Sequence, residues 1–150
     1  MPDPDILGPC ACFRSRSVAR AITSLYDATL DDSGIRTSQL AILTAIRTHG
    51  AVSMQMLASE LGVDPSTMTR TLSPMERDGF VASEPGEDRR VRELVLTAKG
   101  HRKLAEAGRL WAQAQEKLRE KIGTERFERM LADMAEVLTA LREQEAPAAE

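Results

Sequence analysis

DPSTMTRTLSPMERDGFVASEPGEDRRVRELVLTAKG, residues 64–100, is the stretch whose reading decides the fold. Asp64 is a good helix N-cap, and Pro65 takes the first helical position, where its missing N–H costs nothing. Gly79 ends that helix, and a short strand starts over Phe80 to Ala82. At about 100° per residue, Met68, Leu72 and Met75 gather on one face and Ser66, Arg70, Ser73 and Arg77 on the other. A helix with an apolar back and a front of hydroxyls and guanidiniums suits a DNA major groove. Hydroxyls serve phosphates or bases, and an arginine can bridge guanine O6 and N7. The tip EPGEDRR, residues 84–90, presents arginines on a loop that suits a minor groove. Together these features read as a winged helix-turn-helix. Pro74 departs from an ideal helix, because it removes the bond to the Arg70 carbonyl and clashes with it. The expected result is a kink after Arg70 that lifts Ser73 and Arg77 away from the groove.

Working outward, the chain reads as six helices and one hairpin, a mainly α (α+β) fold. A first helix over about Cys10 to Leu30 carries Val18, Ala21, Ile22, Leu25 and Tyr26 on one stripe, and DDSG breaks it. A second begins near Ser38, uses Leu40, Leu43 and Ile46, and stops around His49-Gly50. A short third helix follows Ser53 as cap, with Met56, Leu57 and Leu61 inward, and Gly62 turns it into the Asp64 helix. After the hairpin, Thr97 caps a long helix carrying Leu104, Trp111, Leu118 and Ile122. Thr124 caps the last, which carries Phe127, Met130, Leu131, Met134, Leu138 and Leu141. The winged helix-turn-helix occupies approximately residues 37–97 of one domain spanning 1–150. The helices at about 10–31 and 98–143 exceed what a winged helix needs. Their apolar stripes predict a two-fold dimer presenting two recognition helices about one DNA turn apart.

Composition and charge narrow the function. The 150 residues carry a net charge of −3, which argues against non-specific coating of nucleic acid. Residues 64–103 hold eight Arg or Lys against seven acids, while the remainder from Leu104 holds seven against ten, so acid collects away from the basic face. No signal peptide or membrane-length apolar run is visible. Two cysteines, Cys10 and Cys12, are too few and too close to staple a fold, so a cytoplasmic setting is expected. His49 and His101 stand in no metal-spaced cluster, and no phosphate loop, nucleophile elbow or HExxH motif appears. The sequence predicts no enzyme, no cofactor and no metal. The rival class is a winged-helix protein-interaction module, whose front would show exposed aliphatics.

Over nearly its whole length the chain resembles the MarR family of bacterial transcription regulators. DRRVRELVLTAKG, residues 88–100, is similar to the family's wing signature of Asp-x-Arg, strand residues and Leu-Thr-x-x-Gly. LASELGVDPSTMTRTLSPMERDGFV, residues 57–81, is similar to its helix-turn-helix. The resemblance implies a homodimer on a pseudo-palindromic double-stranded DNA operator, with affinity tuned by a small molecule or by thiol oxidation. It implies Arg90 in the minor groove with Asp88 holding its guanidinium, and Arg89 and Arg92 on phosphates. It implies Ser66, Thr67, Thr69 and Arg70 in the major groove. Ser38 and Gln39 resemble family residues that bond phosphate at a helix N-terminus.

The resemblance also places an effector pocket between the dimer helices and the winged domain. Arg14, Arg20, Tyr26 and Trp111 are its candidate lining, and an arginine beside apolar walls suits a carboxylate. Cys10 and Cys12 open the first helix with Arg14 and Arg16 nearby, a setting that favours thiolate. Residues two apart on a helix point to different sides, so a bond within the pair would distort the turn. A bond across a dimer is sterically easier if the two N-termini lie close.

Overall fold

The structure, a computed structural model, describes residues 8–86 and 90–145, with the side chains of 143–145 left aside. The elements run α1 (Ala11–Leu30), a 3-10 turn (Asp31–Ser33), α2 (Thr37–His49), β1 (Val52–Ser53), α3 (Met54–Leu61) and α4 (Pro65–Arg77). They continue with β2 (Val81–Pro85), β3 (Arg92–Leu96), α5 (Ala98–Ile122) and α6 (Thr124–Glu145). The chain divides into two compact units, one ending at Ala114 and one starting at Gln115.

In the first unit the strands form an antiparallel sheet of order β1-β3-β2. Val52 opposes Leu94 from one side of β3, and Val81 to Pro85 pair with Leu96 to Arg92 from the other. The core joins α2 (Leu40, Leu43, Ile46), α3 (Leu57), α4 (Met68, Leu72, Met75), the sheet (Val52, Val81, Leu94) and the start of α5 (Leu104, Ala107). The apolar back expected for the Asp64 helix is thus its buried face, with Met68, Leu72 and Met75 at 1%, 3% and 0% exposure.

Local signals set most helix ends. The Ser53 hydroxyl accepts from the Met56 N–H at 3.2 Å, and the Asp64 carboxylate accepts from the Thr67 N–H at 2.9 Å. Between them Gly62 sits at φ +63°, a conformation that costs a side-chain-bearing residue roughly 1 kcal/mol or more, and closes α3 into the turn. The Thr97 hydroxyl accepts from the Gly100 N–H at 3.0 Å and caps α5.

Two expectations need correction. Met56 is exposed, because a helix opening at Met54 turns Leu57 and Ala58 inward and leaves Met56 outside. Thr124 is the first residue of α6 rather than its cap. Gly123, at φ +84°, ends α5 through its N–H on the Arg119 carbonyl, and its own carbonyl accepts from Phe127. Pro74 lies inside α4, which continues past it to Arg77.

In the second unit Leu118 and Phe127 are buried, and the Arg119 guanidinium lies 4.8 Å from the Phe127 ring centroid. Further along α6, Leu131, Met134, Val137, Leu138 and Leu141 are all exposed. The N-terminal two thirds of α1 is likewise open, including Phe13 and Val18.

Candidate nucleic-acid interface

The front of α4 is solvent-facing at Ser66, Thr69, Arg70, Ser73 and Arg77, with Thr67 half-buried beside them. Its hydroxyls are already engaged. Ser66 Oγ donates to Asp64 Oδ1 at 2.5 Å, and Thr67 Oγ1 donates to Asp64 Oδ2 at 2.6 Å. Thr69 and Ser73 donate to the carbonyls of Pro65 and Thr69, at 2.9 and 2.8 Å. Arg70 leans back on Thr67, with Nη2 3.4 Å from Oγ1. The hydroxyl bonds from Ser66 and Thr67 hold the Asp64 carboxyl far below the usual carboxylate range, so it is ionised at any physiological pH.

At the start of α2, Ser38 is exposed and Gln39 half-buried. Gln39 Oε1 accepts from the Arg36 N–H at 2.9 Å, so its carbonyl works as a cap. The first turn also has an anion of its own. Asp27 of α1 accepts from the Thr37 N–H and hydroxyl, both at 2.7 Å, and lies 3.4 Å from Arg36. Burial pushes the Asp27 carboxyl up, but the bonds from Thr37 and Arg36 outweigh that and leave it below its ordinary value.

In the wing, Arg90 is exposed in the turn before β3, and Asp88 and Arg89 fall outside the described residues. Arg92, expected on phosphate, is committed within the hairpin. Its Nε donates to Ser83 Oγ at 3.0 Å and its Nη2 to the Ser83 carbonyl. The base of the wing is fastened to α5. Thr97 Oγ1 donates to the Gly79 carbonyl at 2.6 Å and Lys99 Nζ to that of Asp78 at 2.7 Å. Lys99 and Lys103 also stand 5.2 and 5.7 Å from the Phe80 ring centroid. Gly100 permits this approach, since a Cβ there would meet the Phe80 carbonyl oxygen at 2.0 Å.

The four candidate effector residues do not share one cavity within the chain. Trp111 lines a cavity of about 320 Å³ with Thr37, Leu40, Ala41, Thr44, Leu104 and Gly108, between α2 and α5. Arg20 lines an open groove with Asp27 and Arg36, Tyr26 is buried, and Arg14 donates to the Gly8 carbonyl at 2.9 Å. Cys10 is half-buried at the N-cap of α1, and Cys12 is exposed. Among the described residues, no group of three His, Cys, Asp or Glu side chains is placed to hold a metal, and no helix is long and apolar enough to cross a membrane.

Two site residues escaped the sequence reading in part. Asp64 was legible as a cap but not as a hydroxyl clamp, although Ser and Thr two and three residues on are the signal for it. Asp27 had no local signal, because its partner lies ten residues away across a turn.

A buried-backed recognition helix after a tight glycine turn, flanked by an antiparallel wing, defines a winged helix-turn-helix DNA-binding protein. Residues 35–91 match the MarR family. The M. tuberculosis transcriptional regulator MosR, solved in complex with DNA, is 35% identical with a TM-score of 0.73, over 89% of this chain and 98% of that one. The transcriptional repressor CouR, bound to a 23-mer DNA duplex, is similar in fold at 20% identity and a TM-score of 0.81, over 88% of this chain and 94% of its own. The uncharacterized HTH-type transcriptional regulator YwoH of Bacillus subtilis (strain 168) is 34% identical over 88 residues, 59% of this chain and 64% of that protein. The chain therefore spans less than two thirds of YwoH. It belongs to the MarR family of transcriptional regulators, a family of DNA-binding proteins and not of enzymes.

Proposed function

We propose that the chain is a repressor that binds a pseudo-palindromic operator as a homodimer and is released by a small aromatic or aliphatic carboxylate. The observation that carries the DNA part is the front of α4, where Ser66, Thr69, Arg70, Ser73 and Arg77 are all exposed while the back is buried. Its likeness to MosR, a protein solved with DNA, supports the same reading. Dimerisation is supported by the exposed apolar residues of α1 and α6, a surface that water tolerates poorly. Release by an effector is supported by the cavity under Trp111, whose walls are apolar apart from Thr37 and Thr44. Fluorescence anisotropy against the chain's own upstream DNA tests it, with aromatic acids titrated in. Specific binding by a dimer, reversed by a carboxylate, is the expected result. Absence of sequence-specific binding would instead favour a protein-interaction module.

The exposure of Cys12 favours a second route of release. Peroxide would oxidise one thiol from each protomer to a disulfide, itself reduced to two waters. Operator affinity should then fall with peroxide and return with reductant, and a Cys10→Ser/Cys12→Ser variant should not respond. An equal response in that variant would sink the idea.

A further inference from the structure

The geometry points to Asp64 as a positioning residue that sets which bases α4 reads, by holding the Ser66 and Thr67 hydroxyls as acceptors toward DNA. This inference rests on α4 being the helix that enters the groove. An ionised carboxylate has no proton, so in the bonds Ser66 Oγ–Asp64 Oδ1 and Thr67 Oγ1–Asp64 Oδ2 both protons belong to the hydroxyls. Such charge-assisted bonds are roughly twice as strong as neutral ones. Thr69 and Ser73 differ, since their protons rest on neutral carbonyls and can be redirected at little cost. Arg70 is compatible with this assignment, because its N–H group is directed at a lone pair of the Thr67 oxygen.

The consequence for DNA is definite. Phosphate oxygens only accept, so Ser66 and Thr67 have nothing to offer them while Asp64 holds their protons. In the major groove the complementary groups are the N6 amino of adenine and the N4 amino of cytosine. Guanine O6 and N7 and thymine O4 would face hydroxyl lone pairs and be disfavoured. Arg70 and Arg77, with Thr69 and Ser73 once their protons turn outward, then remain the donors of this face, suited to guanine and to phosphate.

The test is selection of duplexes from a randomised pool by the full chain and by two variants. Asp64→Asn keeps the cap, because its Oδ1 still accepts from the Thr67 N–H. Its amide nitrogen replaces Oδ2, however, and donates to Thr67 Oγ1, which frees the Thr67 proton to point outward. One position of the half-site should shift from adenine or cytosine to guanine or thymine on the contacted strand, by about three- to tenfold. Thr67→Val removes the hydroxyl, keeps the shape, and should flatten the preference at that same position. Overall affinity should rise in Asp64→Asn for every sequence, as a negative charge leaves the DNA face. Both variants are checked by thermal melting before selection. An unchanged base preference in Asp64→Asn, or an effect of Thr67→Val at a different position, overturns the clamp and leaves the DNA-binding reading intact. A parent protein that selects no sequence at all overturns both.

Discussion

Arg70 and Arg92 have the same chemistry and should answer the same substitution differently. Arg70 stands on the front of α4, so Arg70→Ala should weaken operator binding by roughly 1–3 kcal/mol and relax one base position if its contact is bidentate to guanine. Arg92 braces β3 to Ser83 of β2. Arg92→Ala should therefore lower thermal stability by about 1 kcal/mol and leave the salt dependence of DNA binding unchanged. A phosphate contact would instead reduce the slope of log affinity against log salt by about one. Binding measured at four salt concentrations separates the two roles, and a reduced slope for Arg92→Ala would return it to the phosphate. The run Arg89-Arg90-Arg92 could not be sorted in this way from sequence, because the Arg92–Ser83 pair depends on hairpin register. That register, with Pro85 opposite Arg92, is a property of two strands and the loop joining them.

The elements themselves were largely legible where their signals are local. Ser53, Gly62, Asp64 and Thr97 act within three residues of the groups they satisfy, and each sits at the helix boundary read from it. Met56 and Thr124 depart from the local pattern for related reasons: packing decides the one and the neighbouring Gly123 the other. Asp27 shows the limit most clearly, since it caps α2 from another helix. Its carboxyl is lowered in the folded state, so the unfolded chain takes up a proton first as pH falls. Stability from Asp27 is fully present above about pH 4, the ordinary Asp range, and is lost as pH drops through the lowered folded value. Urea midpoints between pH 6 and 3 should fall for the parent and fall less for Asp27→Asn. Parallel curves would mean the cap contributes nothing. At the start of α5, Gly100→Ala should be disruptive, because the added methyl would overlap a backbone oxygen rather than a side chain that can swing away. A loss of about 1–3 kcal/mol in melting experiments is expected, and an unchanged melting temperature would show that α5 and Phe80 separate freely.

For the molecule as a whole, the terminal apolar stripes were legible because they follow helical periodicity; Tyr26, Leu104, Leu118 and Phe127 are buried within the chain, while Val18, Leu131, Met134, Leu138 and Leu141 are exposed. Fully burying one such side chain is worth about 1.5–3 kcal/mol, so several together suffice to drive association. Sedimentation should give about 33 kDa, twice the 16.5 kDa chain. Leu138→Glu should yield a folded monomer with much weaker operator binding, and a dimer that survives this change would place the interface elsewhere. The cavity between α2 and α5 was not legible in detail, because it is defined by how two helices meet rather than by any motif. It has one property that makes the effector question tractable. Trp111 on its wall is the only tryptophan in the chain, and it is 43% exposed. Its indole is thus a built-in lamp at the one place of interest, with no second emitter of its kind to blur the signal. A molecule that enters the cavity strips water from the ring and should shift its emission to shorter wavelength or quench it, and Trp111→Phe should go dark. Candidate effectors can then be ranked by light alone, before any operator sequence is known.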